Sequence, residues 1–209
     1  MARKYTVFLK GREEKVTNEE LSNYADLIGI NNSYRSRISE LLILDIYIYD
    51  KEFGVNPRDI IEEIDNLENG DHNTQTKPAS AFRKLPLAGL WHKHYFSAEF
   101  LVPNMQNALK GGKLKSLIEE VMDPSKSSVI TPEMISEFAH RVTHEPVEDR
   151  TNANKLTGEW IIFAKENGEN YYLCLNTHEA GDQTIADRIK DNCVREYSFL
   201  STFFTPENA

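Results

Sequence analysis

The sequence is poor in cysteine: Cys174 and Cys193 are the two in 209 residues. A single pair of thiols makes neither a disulfide framework nor a zinc site by itself, so buried free thiols are expected. Long apolar runs are also missing. A membrane-crossing helix needs about 20 predominantly apolar residues, and the longest apolar stretch, Leu41 to Tyr49, is short and contains Asp45. The apolar run near the start stops at Lys10, too soon for the core of a secretion signal. No membrane association and a cytoplasmic location are therefore expected. There is no internal repeat and no low-complexity tract. Lys110-Gly111-Gly112-Lys113 has neither the preceding strand nor the spacing of a phosphate-binding glycine loop. A Gly-x-Ser-x-Gly nucleophile elbow is absent, and Cys174 has no obvious base beside it. Nothing in the sequence calls for a cofactor.

What is present suits a globular chain, 40% hydrophobic and 27% charged. Its length allows one good-sized core or two small domains. The formal net charge is −9 with a sequence pI near 5.2, which argues against general nucleic-acid binding. The charge is unevenly spread, however. Residues 77–115 carry Lys77, Arg83, Lys84, Lys93, Lys110, Lys113 and Lys115 against Glu99 alone, while both flanks are acidic. Such an island can hold an anion locally, or can pair with the acidic flanks inside the fold. The acidic N-terminal residues 13–71 offer a docking surface for a basic protein partner.

Periodicity gives the elements. Tyr5, Val7 and Leu9 alternate, predicting a strand over Lys4 to Lys10. Thr17 and Glu20 form a capping-box pattern ahead of a helix to Ile28, which Gly29 ends. Ser33 is the expected cap of a second helix reaching Tyr49. Asn56-Pro57 starts a third, which Gly70 stops. Residues 71–86 are polar with two prolines and no periodicity, and read as a linker or long loop. A long strand is expected over Gly89 to Val102, a helical turn over Asn104 to Lys110, and helices over Lys113 to Met122 and Thr131 to Thr143. Residues 146–156 read as loop. Glu159–Lys165 and Asn170–Asn176 flank Asn167-Gly168, a strong hairpin signal. Asp182 is the expected cap of a helix ending near Cys193, and Arg195 to Phe204 reads as a last strand. The whole is α+β: a mainly helical N-terminal region (1–70), a linker (71–86), and an α+β domain (87–209) with a mostly antiparallel sheet and packed helices.

The chemistry centres on histidine. Residues 90–96 read Leu-Trp-His-Lys-His-Tyr-Phe. In a strand, His92 and His94 share a face and Lys93 points the other way. Two neighbouring imidazoles suit proton transfer or metal ligation, and a cross-strand neighbour can bring His178 or a hydroxyl beside them. His140 and His144 also share a helix face, but Arg141 stands where a metalloprotease motif needs glutamate. His178 and Glu179 follow the second hairpin strand, at a turn where polar groups converge, and can serve as acid and base. His72 reads as a loop residue.

Metal-independent RNA cleavage needs a base for the 2′-hydroxyl, an acid for the leaving oxygen, and cations for the phosphorane. His92, His94, His178 and Glu179 are the expected catalytic set. Arg83, Lys84 and Arg188 are the expected phosphate ligands, with no metal. The expected function is thus binding of RNA or another phosphate-bearing ligand, with endoribonuclease or other hydrolase activity as its catalytic form. The alternatives are a non-catalytic protein-interaction module and a metal-dependent hydrolase with a histidine-rich site.

Overall fold

The computed structural model describes residues 3–70, 76–95, 111–123, 125, 129, 131–143, 159–177 and 180–204. The predicted strand beyond Tyr95, the Asn104–Lys110 turn and the 146–156 loop lie outside these residues.

The chain opens with a hairpin, β1 (Lys4–Leu9) and β2 (Arg12–Thr17), paired antiparallel as a two-stranded sheet of its own. β2 has no counterpart in the sequence reading. Its residues are exposed up to Val16, so they lack the alternation that signals a half-buried strand. Thr17 caps α1 (Asn18–Leu27): its hydroxyl accepts from Glu20 N–H, and the Glu20 carboxylate accepts from Thr17 N–H at 2.7 Å.

The second predicted helix is divided. A 3-10 turn covers Arg35–Arg37, Ile38 is extended (φ −101°, ψ 118°), and α2 (Glu40–Ile48) follows. Ser33 is not its cap; the Ser33 N–H is taken by the Asn31 side chain. Ser39 caps it instead, accepting from Leu42 N–H at 3.0 Å while its hydroxyl donates to the Leu173 carbonyl at 2.6 Å. Ile38 is drawn out of the helix because it bridges in parallel to Tyr172. A π-helical turn (Tyr49–Phe53) leads toward α3 (Pro57–Asn69), which Asn56 caps as predicted.

The second sheet has the order β3 (Ser80–Ala81), β4 (Trp91–His94), β5 (Trp160–Glu166), β6 (Glu169–Asn176), all antiparallel. Asn167 and Gly168, at φ 52° and 83°, make the predicted hairpin turn. A bulge opposite Ile162 and Phe163 lets Leu173 and Cys174 both enter the same core. Between the central strands lie α4 (Lys113–Val121) and α5 (Pro132–Thr143) in the sequence; Arg141 and Glu120 join them at 2.8 Å.

Apolar side chains cover both faces of this sheet. One cluster joins Ile161, Phe163, Tyr172 and Leu175 to the hairpin, α1, α2 and α3. The other joins Ile162, Ala164, Leu173 and Cys174 to α6 (Asp182–Cys193) and to a 3-10 helix (Ser198–Phe204). Two details differ from the sequence reading. Gly181 is the N-cap of α6 and Asp182 its first residue. Arg195 to Phe204 is not a strand; Ser201 and Thr202 hydroxyls donate to carbonyls three residues back, which favours the tighter helix. Among the described residues no helix is long and apolar enough to cross a membrane.

Candidate functional site

β4 is the second strand of the sheet, and its alternation sorts its residues. Trp91 packs against the cluster that contains Phe163, with its ring 6.2 Å from the Phe163 ring. Lys93 points the same way and is buried. His92 and His94 face the opposite side, their ring centres 5.6 Å apart. His92 is half-buried and His94 is 3% exposed. The shared face predicted from the two-residue spacing is therefore present.

Register supplies the neighbours. His92 pairs with Ser80 on one side and Ile162 on the other, and His94 pairs with Trp160. The Ser80 hydroxyl lies 3.0 Å from His92 Nε2, so a hydroxyl stands beside the pair. The Trp160 indole packs 5.0 Å from the His92 ring and 6.3 Å from His94. Phe82 closes the group, 4.7 Å from His92 and 5.4 Å from Trp160. Ser80 and Trp160 were not named from the sequence, because only the pairing register brings them here.

The loop after Phe82 returns to β4 through two backbone hydrogen bonds, Phe82 N–H to Leu90 O and Gly89 N–H to Phe82 O. Gly89 (φ 90°) lies so close to Phe203 that a Cβ would stand 3.0 Å from its ring. That contact docks the loop against the C-terminal 3-10 helix. Arg83 and Lys84 are exposed on this loop, directly after Phe82.

Arg188 is placed differently from expectation. Its guanidinium donates to Asp45 at 2.5 Å and to the Leu175 carbonyl at 3.2 Å, so two of its donors serve the fold. Asp45 also accepts from Leu175 N–H at 2.9 Å. Burial nevertheless pushes the Asp45 carboxyl up to about 6, against the downward pull of Arg188. This pair fastens α2 and α6 to the end of β6.

His94 lies opposite Trp160, and Trp160 lies opposite Asn176. All three therefore sit at one end of the sheet, where β6 leads into Thr177. His178 and Glu179 lie outside the described residues, as do His72, His144 and the His140 side chain. Asn176 itself is buried. On the other face at this end, burial and the nearby Glu159 and Asp45 carboxylates raise the Tyr49 phenol. Burial pushes both thiols up as well, Cys193 to about 12, which removes them as nucleophiles.

Lys93 has a separate environment. Its ammonium meets the Glu63 carboxylate at 3.1 Å, the Lys77 carbonyl at 3.0 Å and the Thr76 hydroxyl. Burial pushes this lysine below its ordinary value, while Glu63 pulls it back up. It faces away from the imidazoles and cannot serve a ligand held there.

No known family, no curated protein and no solved structure matches this sequence. Among the described residues, no group of three or more histidine, cysteine, aspartate or glutamate side chains is arranged to hold a metal.

Proposed function

We propose that the His92/His94 face binds a phosphate-bearing ligand, with RNA as the substrate class, and cleaves it by imidazole acid–base chemistry. The observation that carries this reading is the imidazole pair on one sheet face, 5.6 Å apart. His92 would take the proton of the 2′-hydroxyl as that oxygen attacks phosphorus. His94 would return a proton to the departing 5′-oxygen. Each such transfer contributes roughly 10²–10⁴-fold to rate. Arg83 and Lys84 are the cations for the phosphorane, because they are exposed on the loop that begins beside His92. Lys93 is excluded by its orientation, and Arg188 by its commitment to Asp45. His178 and Glu179 stay as sequence-level expectations on which this assignment does not depend.

Replacing both His92 and His94 by alanine should lower RNA cleavage in chelator at least ~10²-fold with the circular-dichroism spectrum unchanged. Full activity in the double variant would refute the assignment. Arg83→Ala with Lys84→Ala should weaken binding and flatten its salt dependence, since each phosphate contact adds to that slope.

A second reading, docking of a basic partner by the acidic N-terminal region, has one observation in its favour. Leu27 and Phe53 of that region are exposed at 81% and 59%, and Phe8, just ahead of it, at 69%. Loss of capture of a basic amphipathic peptide when all three become serine would support it.

A further inference from the structure

We propose that Lys93 is the positioning residue of the histidine site, acting through Glu63 and Thr76 to fix the pose of His92; this rests on the site assignment above. β3 has two residues, Ser80 and Ala81, yet Ser80 supplies the hydroxyl on His92. So short an edge strand cannot hold its own place and needs anchoring at both ends. Its far end is held by the Phe82–Leu90 and Gly89–Phe82 backbone hydrogen bonds. Its near end is held by Lys93, which binds the Lys77 carbonyl at 3.0 Å and the Thr76 hydroxyl.

The same lysine fixes the other partner. Lys93 sits between His92 and His94 on β4, and its Nζ is tied to Glu63 of α3 at 3.1 Å. Thr76 closes the triangle by donating to Glu63 at 2.7 Å. Pinning the central residue of the triplet sets the roll of the strand, and with it the direction of both imidazoles. One buried cation thus holds the strand that carries His92 and the strand that carries Ser80. The three residues are 3% (Lys93), 8% (Glu63) and 3% (Thr76) exposed. A buried ion pair is a costly way to fill a core, and apolar residues of similar volume are often neutral or stabilising in its place. Apolar packing, however, cannot hold a backbone carbonyl such as that of Lys77. What the triad provides beyond packing is direction.

The test is the double variant Lys93→Met with Glu63→Leu in the full chain. Because the variant strips the buried Thr76 hydroxyl and the Lys77 carbonyl of these partners, its unfolding midpoint should fall modestly below that of the wild type while the chain stays folded. The His92 imidazole, followed by long-range proton–nitrogen NMR, should pass from one fixed tautomer to an averaged signal. Unchanged His92 ring-nitrogen shifts in a folded double variant would overturn the proposal. Should the double variant fail to fold, Thr76→Val provides the same readout with the ion pair kept, and an unchanged His92 signal there overturns it too. This measurement needs no RNA, so it stands apart from the cleavage assay. If cleavage exists, the double variant should lose at least ~10-fold in kcat with a smaller change in KM.

Discussion

At Asp45 burial and pairing pull against each other. Its carboxylate has two donors, yet burial holds it at about 6, above its ordinary 3.8. The folded chain therefore keeps a proton that the unfolded chain has already released over that interval. The Asp45 contribution to stability is greatest below the lower value and falls as pH rises through the higher one. Asp45→Asn removes this dependence. The stability advantage of wild type over the variant should shrink by roughly 2 kcal/mol between about pH 4 and pH 6.5, measured by urea unfolding at each pH. A difference that stays flat would show that the carboxyl titrates at its ordinary value. This pair also shows what the sequence could not reveal about Arg188: nothing local indicates that Asp45, far earlier in the chain, accepts from its guanidinium. The shared face of His92 and His94 was legible because a two-residue period needs no tertiary information.

Local chemistry decided which elements were legible. The Thr17 capping box, the Asn56-Pro57 start and the Asn167-Gly168 turn each act within four residues. The start of α2 did not follow, because Ser39 is chosen over Ser33 by the Leu173 carbonyl, 134 positions away. Ser39→Ala should cost about 2 kcal/mol, since it removes both a cap and a buried hydrogen bond. Ser33→Ala should stay within about 0.5 kcal/mol. Equal urea midpoints for the two variants would contradict this assignment. The C-terminal segment misled for a related reason. Its alternating aromatics resemble a strand, but Phe199 and Phe203 pack on the second cluster from a 3-10 helix. The edge of the sheet beyond β6 is already met by Ile38.

At the scale of the molecule, the N-terminal helices and the sheet share a core. Leu42 and Ile46 belong to the same cluster as Phe163 and Tyr172. A polar network adds to it: Glu68 receives Arg37, Asn170 and the Tyr172 hydroxyl, the last at 2.8 Å. Burial pushes the Glu68 carboxyl up, but these donors outweigh it and hold it below its ordinary range. Helices and sheet should therefore unfold together, with far-ultraviolet circular dichroism and tryptophan fluorescence giving one midpoint. Two separated transitions would show that the shared core is weak.

The imidazole pair on β4 is proposed to cleave RNA without a metal. The most direct measurement is end-group analysis of RNA incubated with the full chain in excess chelator. Attack by the 2′-hydroxyl leaves 2′,3′-cyclic phosphate ends, and these are the predicted products, absent with the His92→Ala, His94→Ala variant. Intact RNA, or 3′-hydroxyl ends, would contradict the claim.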